Sequence, residues 1–420
     1  MKSPHLRLAL SGFVSLLSAL PVLAAESSSE WTQWRGAGRD GVSPGTAFPD
    51  SLAGLERIWR VPAGKGYPGP VVAVDRVFVV ESAADEALVV RALDRATGAV
   101  RWEKRWPSSG EVPFFAAKNG DWVRSTPAYD GKTLFVGDMR EVLRALDGET
   151  GEERWRMDLP TQFKTAPPMF GFASSPLVDG DALYVQAADS VLKLAKDTGA
   201  VLWRALARVP DETSSGAFSS PVLADLAGTR QLVVLTRVAL HGLDPATGRV
   251  LWSQDVPNFR GTHVLTPVVV GDTVFTSPYN EGSFLFRIKK DGAEFAVETV
   301  WRNKASGYMS SPVVTAGHVF HHLGNGRLDC IELASGESRW RSDALGKYWS
   351  LVLRDDKILA LAEDGALYLL RANPAAFTLL DKRQLADQET WGHLAVAGDE
   401  IFVRELEGVS AWRWKSAKTP

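Results

Sequence analysis

Ala145-Leu146-Asp147-Gly148-Glu149-Thr150-Gly151-Glu152-Glu153-Arg154-Trp155 is the stretch on which the fold turns. The same phrase, with the same internal spacing, stands at Ala92-Leu93-Asp94, Thr97-Gly98 and Trp102, and again at Gly242-Leu243-Asp244, Thr247-Gly248 and Trp252. Two looser copies keep the register. Ala195 replaces the Asp before Thr198-Gly199 and Trp203, and Glu332 with Ser335-Gly336 precedes Trp340. Trp301 closes a degenerate copy. From Trp59 onward through Trp102, Trp155, Trp203, Trp252, Trp301 and Trp340, the spacings are 43, 53, 48, 49, 49 and 39 residues. A period of that size belongs to propellers and solenoids, and it overrides any count of domains from length alone.

The phrase has a physical reading. Gly98 and its equivalents supply the positive φ of a tight turn between a third and a fourth strand, while the Asp and Thr side chains bond the turn's own backbone. The Trp four residues later is expected to lie between adjacent sheets, burying ~150 to 250 Å² where no single sheet has a core of its own. Cys330 takes the small-residue place held elsewhere by Ala92 and Ala145, which makes it buried packing.

A second phrase begins each unit: Gly69-Pro70-Val71, Ser125-Thr126-Pro127, Ser174-Ser175-Pro176, Ser219-Ser220-Pro221, Leu265-Thr266-Pro267 and Ser310-Ser311-Pro312. Trp349-Ser350-Leu351 and Trp391-Gly392-His393 make the same beginning without proline. Between the two phrases lie β-branched and aromatic runs bounded by Asp-Gly or Gly-Asp turns. Eight starts across residues 57 to 414 give about 45 residues per unit, a propeller blade. The expected fold is an all-β, eight-bladed β-propeller with four-stranded blades. The last unit lacks a fourth strand, and Arg57-Ile58-Trp59-Arg60 is expected to supply it, closing the ring and removing a free edge. The chain then divides into a signal peptide at 1–24, an N-terminal arm at 25–56, the propeller at 57–414 and a tail at 415–420.

The 420 residues are 45% hydrophobic and 23% charged, which excludes disordered and fibrous classes. Lys2, His5 and Arg7 precede an apolar run from Leu8 to Leu20, and Val22-Leu23-Ala24 offers a cleavage site after Ala24. Without those residues the balance is 45 basic against 50 acidic, a net −5, and no Lys/Arg cluster is long enough to track nucleic acid. The expectation is a periplasmic or secreted monomer with no membrane span after cleavage. The single cysteine rules out an intramolecular disulfide, a four-cysteine zinc site, a c-type haem attachment and a lipid-bearing cysteine after the signal.

Three apparent motifs carry no chemistry. Gly36-Ala37-Gly38-Arg39-Asp40-Gly41 satisfies G-x-G-x-x-G without the strand and helix that a dinucleotide site needs. Gly41-Val42-Ser43-Pro44-Gly45 satisfies G-x-S-x-G with a proline in a loop, against a nucleophile elbow. His318, His321 and His322 share a strand on which alternation separates His321 from the other two.

The Asp-x-x-Thr-Gly-x-x-x-Trp phrase resembles the tryptophan-docking repeat of pyrroloquinoline-quinone (PQQ) type eight-bladed propellers over essentially the whole mature chain. The opening Trp31-Thr32-Gln33-Trp34-Arg35-Gly36 with Arg39-Asp40-Gly41 resembles PQQ-binding-like repeat proteins of environmental bacteria. A quinoprotein dehydrogenase of alcohols or sugars would imply PQQ with calcium in an axial funnel, an Asp base, Glu and Asn ligands and an adjacent-cysteine disulfide. The cysteine pair is missing, and Asn119, Asp121, Glu212 and Asn280 do not make a calcium set by spacing. The resemblance equally covers the compact propeller of the outer-membrane barrel-assembly machinery, which implies a non-catalytic binding or scaffold module in the bacterial envelope. That reading is the expectation here, with the lipid anchor of that machinery's propeller absent.

Loops entering the first strands converge at one mouth of a propeller, and here they carry Lys65, Tyr67, Asp121, Trp122, Arg124, Arg260, His263, Tyr308, Lys347, Tyr348, Trp349 and Trp391, with Phe172 and Phe218. Such residues could stack a flat small-molecule ligand and pair its carboxylates, or bind a protein. Phe114-Phe115 and Pro167-Pro168-Met169-Phe170 are apolar stretches in the long loops at 103–124 and 156–171, poised either to offer contact surface or to fold back over the ring.

Overall fold

Each Asp-x-x-Thr-Gly turn joins the third strand of a sheet to its fourth. Asp147 Oδ1 accepts from the backbone N–H groups of Glu149 and Thr150, both at 2.9 Å, and Asp94 does the same for Ala96 and Thr97. Gly98, Gly151, Gly199, Gly248 and Gly336 all sit at φ between +73° and +76°. The chain is seen in a computed structural model that describes Met1 and residues 30–108, 110, 112–208 and 215–415. The export-signal reading, Glu212 and the tail beyond residue 415 lie outside the described residues.

Among the described residues the strands form eight four-stranded antiparallel sheets arranged as the blades of a propeller. Seven are meanders in chain order. The eighth takes Ala395–Ala397, Glu400–Glu405 and Gly408–Trp414 from the end of the chain and Leu55–Pro62 from its beginning, paired from Leu55 opposite Trp414 to Pro62 opposite Gly408. The expected closing strand is thus in place, slightly longer than read. No helix among the described residues is long and apolar enough to cross a membrane.

The tryptophans make a pattern that reaches from blade to blade. Trp102 donates its indole N–H to Gly148 O (3.1 Å), Trp155 to Lys196 O (2.8 Å), Trp203 to Pro245 O (3.2 Å) and Trp301 to Leu333 O (2.8 Å). In each case the acceptor is the residue just after the Asp position of the next blade's turn. Trp59 reaches Arg95 O in the same way from the closing strand (2.8 Å). The glycine of that next turn faces the ring: a Cβ on Gly98 would stand 2.8 Å from Trp59, and one on Gly151 2.7 Å from Trp102. A β-bulge precedes each of these rings, as where Ala145 pairs Trp155 but Leu146 pairs Glu153, and such a bulge re-aims the following side chain. Cys330 pairs Trp340 as Ala92 pairs Trp102, and it is fully buried.

Trp252 departs from the pattern. The fifth blade's outer hairpin, Ser283–Asp291 with Glu294–Asn303, is too long to place a turn beside it. Trp252 donates instead to Gln231 Oε1 of its own blade at 2.6 Å.

The Ser/Thr-Pro phrase ties the blades together at the axis. Gly69 N donates to Thr126 Oγ1 (2.9 Å), Thr126 N to Ser175 Oγ (3.1 Å) and Ser175 N to Ser220 Oγ (2.9 Å). Further round, Thr266 N donates to Ser311 Oγ, Trp349 N to Ser310 Oγ and Leu394 N to Ser350 Oγ. Each hydroxyl satisfies an amide of a neighbouring inner strand that has no sheet partner on that side.

Candidate functional site

The axis is filled by the N-terminal arm. Trp31 exchanges backbone hydrogen bonds with Val72 of the first blade at 2.7 and 2.8 Å, and Tyr129 N of the second donates to Thr32 O. Trp34 Nε1 reaches Thr266 Oγ1 of the fifth blade at 2.9 Å. Arg39 donates to Pro176 O (2.7 Å) and Ser175 O (2.9 Å) of the third blade, and Arg35 to Pro312 O of the sixth. Ser43 N bonds Leu353 O of the seventh, and Ser43 Oγ reaches Val396 O of the eighth. A segment that touches seven blades in thirteen residues, Trp31 to Ser43, can lie only on the axis.

Both guanidiniums are fully buried, neither has a carboxylate within ion-pair distance among the described residues, and burial pushes Arg35 down to about 10 and Arg39 to about 9. A guanidinium does not give up its proton in response, so these two positive charges stay on the axis. They do not fit a bound calcium ion. A divalent cation would be repelled there, and no group of three His, Cys, Asp or Glu among the described residues could hold it.

At the mouth the loops bring six of the expected residues together. Tyr67 lies 5.8 Å from Trp122 and 6.5 Å from Trp391, and Tyr348 stacks on Trp391 at 5.5 Å. Lys65 caps the Trp122 ring at 4.9 Å, and Arg124 caps Tyr67 at 5.3 Å. Burial raises the Tyr67 and Tyr348 hydroxyls and lowers Arg124, so the group keeps phenols neutral beside two cations. Asp121 and Lys347 are exposed at the rim. Tyr308 forms a separate cluster with Tyr279 at 4.6 Å, next to Phe259, which Arg260 covers. Trp349 is fully buried, its N–H given to Leu345 O, and both ring nitrogens of buried His263 meet backbone carbonyls. Neither side chain is open to solvent. Phe172 is likewise buried, while Phe218 is half-buried.

A row of rings extends outward from this rim. Phe114 and Phe115, on the short helix Phe114–Asn119, are 91% and 66% exposed. Phe115 meets Phe170 at 6.2 Å, Phe170 meets Phe218 at 5.6 Å, and Arg237 covers Phe218 at 4.8 Å. Of the two ways open to these loops, the Phe170 end folds onto the ring of blades and the Phe114 end stands out from it. His321 and His322 are buried and neutral, with burial pushing them down to about 3 and about 4, and His318 bonds Ala316 O.

Arg35 and Arg39 belong to the opening phrase that carries the second resemblance, but nothing in that phrase marks them as axial. Their partners are backbone carbonyls, which every residue owns.

A family model described as outer membrane protein assembly factor BamB matches residues 86–342, more than half of the chain. The BamB protein of Yersinia pestis is 25% identical over 266 residues, covering 58% of this chain and 64% of that protein, so the chain spans a little under two thirds of that relative. The BamB protein of Shewanella oneidensis is 22% identical over 381 residues, 86% of this chain and 88% of its own. Among solved structures, BamB from Moraxella catarrhalis superposes with TM-score 0.62 at 16% identity, covering 87% of this chain and 99% of that one. Quinohemoprotein alcohol dehydrogenase from Comamonas testosteroni superposes with TM-score 0.66 at 14% identity, over 95% and 82%. At such identities the superpositions establish the shared propeller fold alone.

Proposed function

We infer the role of this protein from the premise that the chain belongs to the outer membrane protein assembly factor BamB family. It acts as a non-catalytic docking scaffold on the periplasmic side of the bacterial envelope, exported by its N-terminal signal and working as a monomer. Its partner is a protein component of outer-membrane protein assembly, bound at the mouth face by the Phe114-Phe115 helix and the adjoining cluster of Lys65, Tyr67, Trp122, Arg124 and Trp391. The tryptophans from Trp59 to Trp340 serve as structural docking residues that hold the blades for that purpose.

One observation carries this reading. Two adjacent phenylalanines stand in solvent on a propeller whose own axis is full, and exposed aromatic surface of this kind marks a contact site. The axial guanidiniums speak against the quinoprotein dehydrogenase alternative. Full-length tagged protein captured from its own envelope should bring down an outer-membrane assembly component. The double variant Phe114→Ser, Phe115→Ser should lose at least about tenfold of that recovery with an unchanged melting temperature, since both rings are exposed. Undiminished recovery would move the contact elsewhere. Stoichiometric binding of added PQQ and calcium, with dye reduction by alcohols or sugars, would overturn the scaffold reading.

A further inference from the structure

The two guanidiniums on the axis leave a charge imbalance inside the ring. Arg35 and Arg39 are 0% and 1% exposed, and the charge of Arg35 lowers Arg39, so the two stand within electrostatic reach of each other. The carboxylate that acts on Arg35 is that of half-buried Asp40, which is beyond ion-pair distance and uses Oδ1 on Val42 N at 2.9 Å. A cation taken out of water without a counter-charge is heavily penalised, and proteins ordinarily pair it.

The donors say where negative charge is wanted. Both hydrogen bonds that Arg35 makes come from Nη2, one to Asp40 O at 2.8 Å and one to Pro312 O of the sixth blade. Its Nη1 and Nε have no acceptor, which leaves three N–H groups of a fully buried cation unspent. Arg39 gives Nη1 to Pro176 O and Nη2 to Ser175 O, and its Nε also has no acceptor. The arm has no slack with which to move these groups. A Cβ on Gly41, at φ +77°, would stand 2.8 Å from Arg35 Nη2 and 3.0 Å from Leu351 O of the seventh blade.

The surroundings of Arg35 supply no negative charge. Its positive charge is felt by Tyr348 and His393, which are 6% and 4% exposed. Burial keeps the Tyr348 hydroxyl protonated and pushes His393 down to about 3, so both are neutral. His393 Nδ1 lies 2.8 Å from Leu394 O, and Trp391 stacks over Tyr348 at 5.5 Å on the side of the mouth. Such an enclosure admits only a small occupant. A water molecule would accept from the unspent N–H groups but bring no charge, whereas an anion does both.

We propose that a halide-sized inorganic anion is bound on the axis against Arg35 Nη1 and Nε, with Arg39 supplying the second positive charge. The ion secures the arm within the ring, since Arg35 and Arg39 are tied to the sixth and third blades and the same segment runs on into the closing strand Leu55–Pro62. Ring closure is thereby linked to the anion by mass action. The site is independent of partner docking at the aromatic row, so either can fail alone.

Halide titration of the full-length protein tests it. In protein prepared throughout in gluconate, replacing gluconate by chloride or bromide at constant ionic strength should raise the melting temperature saturably, by about 3 °C at a hundredfold the half-saturating concentration. Constant ionic strength removes general screening from the comparison. Crystals grown in bromide should show an anomalous peak on the axis within hydrogen-bond distance of Arg35 Nη1 or Nε. Arg35→Met should abolish the halide response; if that variant does not fold, the position of bromide in the parent protein decides the matter. Equal melting temperatures in gluconate and halide at every concentration, an ordered water in place of axial bromide, or an undiminished halide response in Arg35→Met would overturn the proposal.

Discussion

Gly151 and Gly228 hold almost the same left-handed backbone, φ +73° and +69°, yet a Cβ at Gly151 would stand 2.7 Å from the Trp102 ring while one at Gly228 would meet nothing within 4 Å. The pair separates backbone strain from ring contact. Gly228→Ala should cost about 1 to 2 kcal/mol for the left-handed conformation alone, and Gly151→Ala about 2 to 4 kcal/mol because the indole must also move. Urea unfolding of the two variants checks this, and equal costs would mean that the ring's seat contributes nothing. Glu141 poses a different residue-scale question. Burial, reinforced by the charges of Asp189 and Asp138, lifts its carboxyl from 4.5 to about 8. A folded-state value above the unfolded one stabilises fully below pH 4.5, and that stability is lost as pH climbs through the window from 4.5 to 8. Glu141→Gln keeps an acceptor for Ala188 N, which donates to Oε2 at 2.9 Å, and removes the titration. The variant should match the parent near pH 4.5 and exceed it by about 2 to 4 kcal/mol at pH 8, measured by denaturant unfolding across that range. A parallel pair of pH profiles would refute the account. The glycine's role was legible because only one residue type tolerates the turn, whereas Glu141's role depends on a turn forty-odd residues away and left no mark in local sequence.

At the scale of the element, the repeat proves to be two half-phrases that serve different neighbours. The Asp-x-x-Thr-Gly turn receives the preceding blade's indole, and the Trp of the same phrase reaches forward to the next blade's turn. Spacing alone revealed the period and the strand order, but a linear pattern cannot say which copy a ring will meet. The exception shows the logic. Where the fifth blade's long hairpin removes the acceptor turn, Trp252 finds Gln231 in its own sheet, and Gln231 Nε2 is in turn held by Leu226 O at 3.0 Å. Gln231→Met preserves volume and strands the indole N–H, so it should cost about 1 to 3 kcal/mol. Adding Trp252→Phe, which removes the stranded donor, should recover part of that loss; a double variant worse than the sum of the singles would show that the bond is not what Gln231 supplies. The Ser/Thr-Pro starts were legible as strand beginnings. Their hydroxyls' work as ties between inner strands was not, because only the closed ring brings Thr126 beside Ser175 and Ser175 beside Ser220.

For the whole molecule, closure is where the arm and the missing tryptophan meet. No ring of the series stands between Trp340 and Trp59, and the eighth blade has no turn between its third and fourth strands because those strands come from opposite ends of the chain. The arm fills that gap. Trp414 Nε1 donates to Ser51 O at 3.2 Å, Phe48 stacks on Trp414 at 5.6 Å, Arg383 Nη1 donates to Leu52 O at 3.0 Å, and Asp381 accepts from Leu52 N at 2.7 Å. Across the seam on the other side, Arg95 of the first blade pairs with buried Glu400 of the eighth at 2.6 Å. One continuous segment therefore plugs the axis through Arg35 and Arg39, mends the seventh-to-eighth junction and supplies the last strand. Removing residues 25–61 should leave Gly408–Trp414 as an open edge next to an unplugged channel, and such edges pair with other chains. The truncated protein should elute as oligomers or aggregate in sizing chromatography. A full chain carrying only Arg35→Met and Arg39→Met should stay monomeric but melt several degrees lower, because its edge remains covered while its axial ties are gone. A monomeric truncation as stable as the parent would mean that the ring closes without its first strand, and the eight blades would then have to be held by their tryptophans and hydroxyl ties alone.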